Sequence, residues 1–106
     1  MKIRSPGEVW LADLGMTAKT RPVLIVSRAD EDPPRVLYLY VPLTTKYRGS
    51  HYEVALDQLP FLPADSYINV QGLSSIGDSR FIRRLGQISE DSLDAVRHAL
   101  RFALEL

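Results

Sequence analysis

The chain has 106 residues, the size of one domain, and its 45% apolar and 25% charged content suits a globular protein with one core. Thirteen basic residues balance thirteen acidic ones, so net charge gives no hint of a polyanionic partner. The absence of cysteine excludes disulfides, thiolate metal sites and a cysteine nucleophile; no apolar run approaches the roughly 20 residues of a membrane span.

MKIRSPGEVW has no apolar core of the signal-peptide kind, so a single soluble, cytoplasmic domain over residues 1–106, with no membrane contact, is expected. After Pro6-Gly7, Glu8 to Leu14 alternates as a strand. Val9, Leu11 and Asp13 face one way, Trp10 and Ala12 the other, and Trp10 is expected to be packing material. Gly15 to Thr20 is a short polar loop carrying Thr17 and Lys19.

Arg21-Pro22 opens a second strand. Proline is tolerated at a strand's first residue and holds Arg21 in extended geometry. Val23 to Val26 is continuously apolar, as in a strand buried on both faces. Asp30 to Arg35 is a turn stiffened by Pro33-Pro34. Val36 to Val41 forms the third strand, with Tyr38 and Tyr40 on one face and Leu37, Leu39 and Val41 on the other. The tyrosine face has two open readings: the lining of a groove or interface, or a half-exposed sheet surface. Paired antiparallel, the second and third strands bring Arg21 beside Thr44 and Thr45.

Thr44 to Ser50 is polar and includes Lys46 and Arg48. Tyr52 to Leu56 is a short strand, Asp57 to Pro63 is irregular or one helical turn, and Ser66 to Val70 is a strand. Gly72 and Gly77 bracket LSSI, a short strand or turn. Phe81 to Leu85 alternates arginines with apolar residues, as at a sheet edge. The Lys46/Arg48 and Arg80/Arg83/Arg84 clusters read first as solvated faces.

Ser89 to Leu106 is a helix, with Ser89 as N-cap, Glu90 and Asp91 in its first turn, and Leu93, Val96, Leu100, Ala103 and Leu104 on one face. His98 lies off that stripe. Many short, closely connected strands followed by one helix make a mostly β chain: a small, bent antiparallel barrel with a C-terminal helix packed on it.

His51 and His98 are the only histidines, and neither has a ligand-type neighbour at metal-binding spacing; GxSxG, P-loop and GxGxxG motifs do not occur. No metal or cofactor is expected. Chemistry that needs only phosphate binding and proton transfer fits. In metal-free RNA cleavage the ribose 2′-hydroxyl attacks the neighbouring phosphate, so the substrate supplies the nucleophile. Arginine matches phosphate oxygens and stays ionised, and a threonine hydroxyl donates to them, so Arg21 with Thr44 meets the minimum. His51, Glu53 and Asp78 are candidate bases by residue type.

GEVWLADL, RPVLIVSR and VPLTT, followed by HYEVAL, DSYINVQGLSSI and RRLGQISEDSLDAVRHALRFALEL, resemble in order the segments of the MazF/PemK toxin family, from about Gly7 to Leu106. The resemblance implies an SH3-like, plasmid-maintenance-type barrel that forms a homodimer. It also implies metal-independent, sequence-selective cleavage of single-stranded RNA, mostly mRNA, and neutralisation by a cognate antitoxin with an acidic flexible tail. By motif position it makes Arg21 and Thr44 catalytic and Gln71 an RNA contact, and Lys19, Thr20, Thr45 and Lys46 are expected to bind RNA with it.

Two departures stand out. The 15–20 loop is short, and GLSSIGD after Gln71 lacks the family's arginine and displaces the acidic residue to Asp78. A barrel that binds RNA or antitoxin without cutting is the alternative reading.

Overall fold

The computed structural model describes residues 3–15, 19–62 and 65–106. Thr17 and the end of the Asp57–Pro63 segment lie outside them. The described residues form β1 (Glu8–Asp13), β2 (Thr20–Ile25), β3 (Leu37–Thr44), β4 (Glu53–Ala55), β5 (Tyr67–Asn69), β6 (Ser74–Gly77), β7 (Phe81–Gln87) and α1 (Glu90–Leu104). Single 3-10 turns, Val70–Gly72 and Asp78–Arg80, flank β6.

Every strand pair is antiparallel, and the hydrogen-bonded path runs β4-β5-β3-β2-β1-β7, with β6 also on β3. β3 is the hub because it is long enough to serve three partners. Its first half pairs with β6, its last two residues with β5, and Tyr40–Pro42 with β2. Changing partner along one strand bends the sheet. Two register shifts between β1 and β7 bend it further.

The sheet has an apolar layer on each face. On one face Val9, Leu24, Val41, Leu43 and Ile68 meet Leu93, Val96 and Ala99 of α1. Ser89 caps that helix, its hydroxyl oxygen accepting from the Ser92 N–H. Leu104, expected on the helix stripe, is half exposed in the last turn instead. On the other face Trp10, Ala12, Val23, Ile25, Tyr38 and Tyr40 form a second cluster. Val23, Leu24 and Ile25 are therefore all fully buried, as a continuous apolar strand requires.

The second cluster settles the tyrosine question against a half-exposed sheet surface. Tyr38 and Tyr40 are 6% and 8% exposed, whereas Leu37 and Leu39 of the opposite face are 48% and 47% exposed. The cover comes from the N-terminus. The Arg4 guanidinium lies 4.4 Å from the Trp10 ring centroid, 4.9 Å from Tyr38 and 4.2 Å from Phe81, and it is ion-paired with Asp78. Phe81 meets Trp10 and Tyr38 edge-on.

Candidate functional site

Alternation assigns the site to a face. In the β2–β3 register Ile25 stands opposite Tyr40 and Val23 opposite Pro42. Two residues further on, the same register brings Arg21 level with Thr44. Both residues thus continue the face of the second cluster, away from α1, past the point where Arg4, Trp10 and Phe81 cover it. Thr44 is in turn paired with Tyr67 of β5, while the neighbouring Leu43–Ile68 pair points into the helix-side core.

The uncovered half of this face is a groove. One hollow of about 580 Å³ is lined by Arg21, Pro22, Pro42, Thr44, Thr45, Lys46 and Ser66, with Leu14 and Leu43. A second, of about 600 Å³, is lined by Thr44, Lys46, Arg48, Ser50, Tyr52, Glu53, Asn69 and Gln71. They share Thr44 and Lys46, so the run from Arg21 to Gln71 is continuous, and each hollow alone is of ligand size.

Local chemistry fixes the key groups. The Thr44 Oγ1 accepts from the Lys46 N–H at 3.1 Å, which holds the rotamer and leaves the hydroxyl hydrogen to donate. Asn69 caps the 3-10 turn through its Oδ1, accepting from the Gln71 N–H at 3.1 Å. A Cβ on Gly72 would come within 2.5 Å of the Pro42 ring; glycine therefore lets the turn lie flat on β3 and sets Gln71 over the groove.

The sequence candidates divide. Arg21, Thr44, Thr45, Lys46 and Gln71 share the groove. Lys19 and Thr20 are exposed at the β1–β2 turn next to its Arg21 end and are not among its lining residues. Lys19 adopts a positive φ of 57°, its N–H donating to the Gly15 carbonyl.

None of the three candidate bases is poised for proton transfer. His51 lies at the β4–α1 edge, 5.3 Å from the Phe102 ring, in a hollow with His98. Asp78 pairs with Arg4 just beyond Gly77, which stands opposite Leu37; Thr44 is seven residues along β3, about 23 Å away at strand rise. Glu53 does border the groove, but its carboxylate accepts from the Arg48 N–H, the Ser50 N–H and the Ser50 hydroxyl. The Ser50 bonds, helped by Arg48, hold its pKa below the ordinary carboxylate range, which makes it a poorer base.

Arg48 and Asn69 are groove residues that the sequence reading did not assign. Arg48 was legible as part of a basic cluster but indistinguishable there from a solvated face. Asn69 could have been found from its cap spacing to Gln71. Among the described residues no three His, Asp or Glu side chains gather as a metal site, and no helix is long and apolar enough to cross a membrane.

The model of the PemK-like, MazF-like toxins of type II toxin–antitoxin systems matches residues 5–104. A protein named probable endoribonuclease MazF5, from Mycobacterium tuberculosis, is 30% identical over 100 residues, covering 93% of this chain and 91% of that protein. The structure of an endoribonuclease in complex with its cognate antitoxin, from a mycobacterial species, superposes with a TM-score of 0.85 at 27% identity over 97% of this chain and 96% of that one. A MazE–MazF structure from Deinococcus radiodurans gives 0.78 at 26% identity over 100% and 99% of the two chains. With the family model spanning nearly the whole chain and the solved toxins sharing its fold, this chain belongs to the PemK-like, MazF-like toxin family of type II toxin–antitoxin systems.

Proposed function

We propose that this toxin cleaves single-stranded RNA, chiefly mRNA, in the Arg21–Gln71 groove, without a metal ion and with sequence selectivity. The observation that carries the reading is the placement of Arg21 level with Thr44 in one open groove that also holds Lys46.

The RNA 2′-oxygen attacks the adjacent phosphorus and the bond to the leaving 5′-oxygen breaks, leaving a 2′,3′-cyclic phosphate and a 5′-hydroxyl. Arg21 takes up the negative charge that builds on the non-bridging oxygens, and the Thr44 hydroxyl donates to one of them. Lys46 and Arg48 hold flanking phosphates, and Thr45, Asn69 and Gln71 present hydrogen-bonding groups to bases. Lys19 and Thr20 extend the contact surface at the Arg21 end. The 2′-proton leaves to water, which reaches the open groove, and water protonates the departing 5′-oxygen.

The chain acts in the cytoplasm, where mRNA is, as a homodimer. A cognate antitoxin neutralises it by laying an acidic, flexible tail along this basic groove, a reading supported by the antitoxin-bound relatives.

The test is cleavage of a long single-stranded RNA in EDTA by the purified protein. Wild type cuts at defined sites, Arg21→Ala falls by at least about 100-fold with an unchanged Tm, and His51→Ala cuts like wild type. No cleavage by the folded wild type would leave a binding module in place of the enzyme; equal cutting by Arg21→Ala would remove Arg21 from the mechanism.

A further inference from the structure

Two stacked tyrosines next to residues of the groove have no part in the mechanism above. Tyr47, 51% exposed, stacks on Tyr67 with ring centroids 4.6 Å apart and planes 14° from parallel. Tyr67 is the β5 residue directly opposite Thr44, and it shares a strand face with Asn69, a lining residue of the groove. Tyr47 sits in sequence between Lys46 and Arg48, two cations of the same groove. Neither ring is among the lining residues, but the stack adjoins the two residues common to both hollows: Tyr67 is paired with Thr44, and Tyr47 follows Lys46 in the chain.

A half-exposed ring held parallel on a second ring offers one flat, pre-ordered outer face. Tyrosine has two side-chain torsions to restrict, and the Tyr67 ring already restricts them, so a planar ligand meets Tyr47 with little further ordering. The planar group that accompanies phosphates at this spacing is a nucleobase, and base-on-aromatic stacking flanked by backbone cations is the general arrangement of single-strand binding. We propose that Tyr47, backed by Tyr67, is the stacking platform for an RNA base next to the phosphate held by Arg21 and Thr44. The platform splays that base from its neighbour and so orients the ribose for in-line attack; Tyr47 is a positioning residue. The proposal rests on the ribonuclease reading for the identity of the phosphate.

The experiment uses a mixed-sequence 2′-O-methyl RNA ten-mer, which has no free 2′-hydroxyl and is not cut. A companion set carries an abasic residue at each position in turn. Binding is measured for wild type, Tyr47→Ala, Tyr47→Phe and Tyr47→Trp. In wild type, one abasic position weakens binding by about 5- to 150-fold, the range of one stacked base. Tyr47→Ala weakens binding of the intact ten-mer by a similar factor and shows no further loss at that position, while Tyr47→Phe and Tyr47→Trp bind like wild type.

A ring that merely braces the loop would weaken intact and abasic strands alike, and that additivity would overturn the platform, as would wild-type binding by Tyr47→Ala. Cleavage of ordinary RNA by wild type separates the two readings. Coupled binding without cleavage would sink the ribonuclease and keep the platform; cleavage with uncoupled binding would do the reverse.

Discussion

Thr44 carries two duties in one side chain. Its oxygen accepts the Lys46 N–H, which shapes the start of the loop, and its hydrogen is the proposed donor to phosphate. Thr44→Ser keeps both and should cut RNA at a rate near wild type. Thr44→Val keeps the volume and loses both, and its kcat should fall by about 100-fold or more in the EDTA cleavage assay. Glu53 supplies a pH prediction. Its hydrogen bonds with Ser50 and Arg48 lower its folded pKa, so the tether it gives to the 48–53 loop is complete above the unfolded carboxylate value. That tether is lost as pH falls through the lower folded value. The amide resonances of Arg48 and Ser50 should therefore shift together in an acid titration, with a midpoint below the ordinary carboxylate range. Glu53→Gln should abolish that shared step.

Among elements, the strands along the chain were readable from alternation and turn residues, and so was the Arg21–Thr44 juxtaposition, whereas the order β4-β5-β3-β2-β1-β7 in the sheet was not. Antiparallel pairing of two adjacent strands joined by one turn leaves little freedom in which ends meet. What was not readable is which side of each strand is covered. Period-2 patterning assigned Tyr38 and Tyr40 to one face and Leu37 and Leu39 to the other, correctly. Burial was then decided by Arg4 and Phe81, which come from 34 residues before Tyr38 and 43 after it. The candidate bases divide for a similar reason: residue type says nothing of distance, and Glu53 borders the groove with Thr44 while His51 and Asp78 do not line it.

The 3-10 turn Val70–Gly72 shows how narrowly one element is fitted. Gly72→Ala would drive a methyl into the Pro42 ring, which cannot rotate away, so the turn must lift. The expected cost is about 1–3 kcal/mol, read as a lower Tm, together with weaker RNA binding because Gln71 moves off the groove. Wild-type affinity in a folded Gly72→Ala protein would show that the turn tolerates the shift.

At the scale of the whole molecule, charge is arranged rather than accumulated. The formal net charge is zero, so the protein has little long-range attraction for RNA. Its affinity must come from the cations that line one groove, Arg21, Lys46 and Arg48. None of Arg80, Arg83 and Arg84 lines either hollow, and Arg84 is tied to Glu8 and Gln87 at the β1–β7 edge. Each phosphate neutralised on a single strand contributes about −0.7 to the slope of log K against log salt, so three contacts predict a slope of about −2. Arg48→Ala, which removes one contact and leaves Arg21 and Thr44 in place, should bring it to about −1.4. The measurement is the dissociation constant of the uncleavable 2′-O-methyl ten-mer over a range of salt. A wild-type slope near about −3.5 would mean that the strand runs beyond the groove onto Arg83 and Arg84 of β7, and a slope near zero would mean that stacking and hydrogen bonds, not phosphates, hold the RNA.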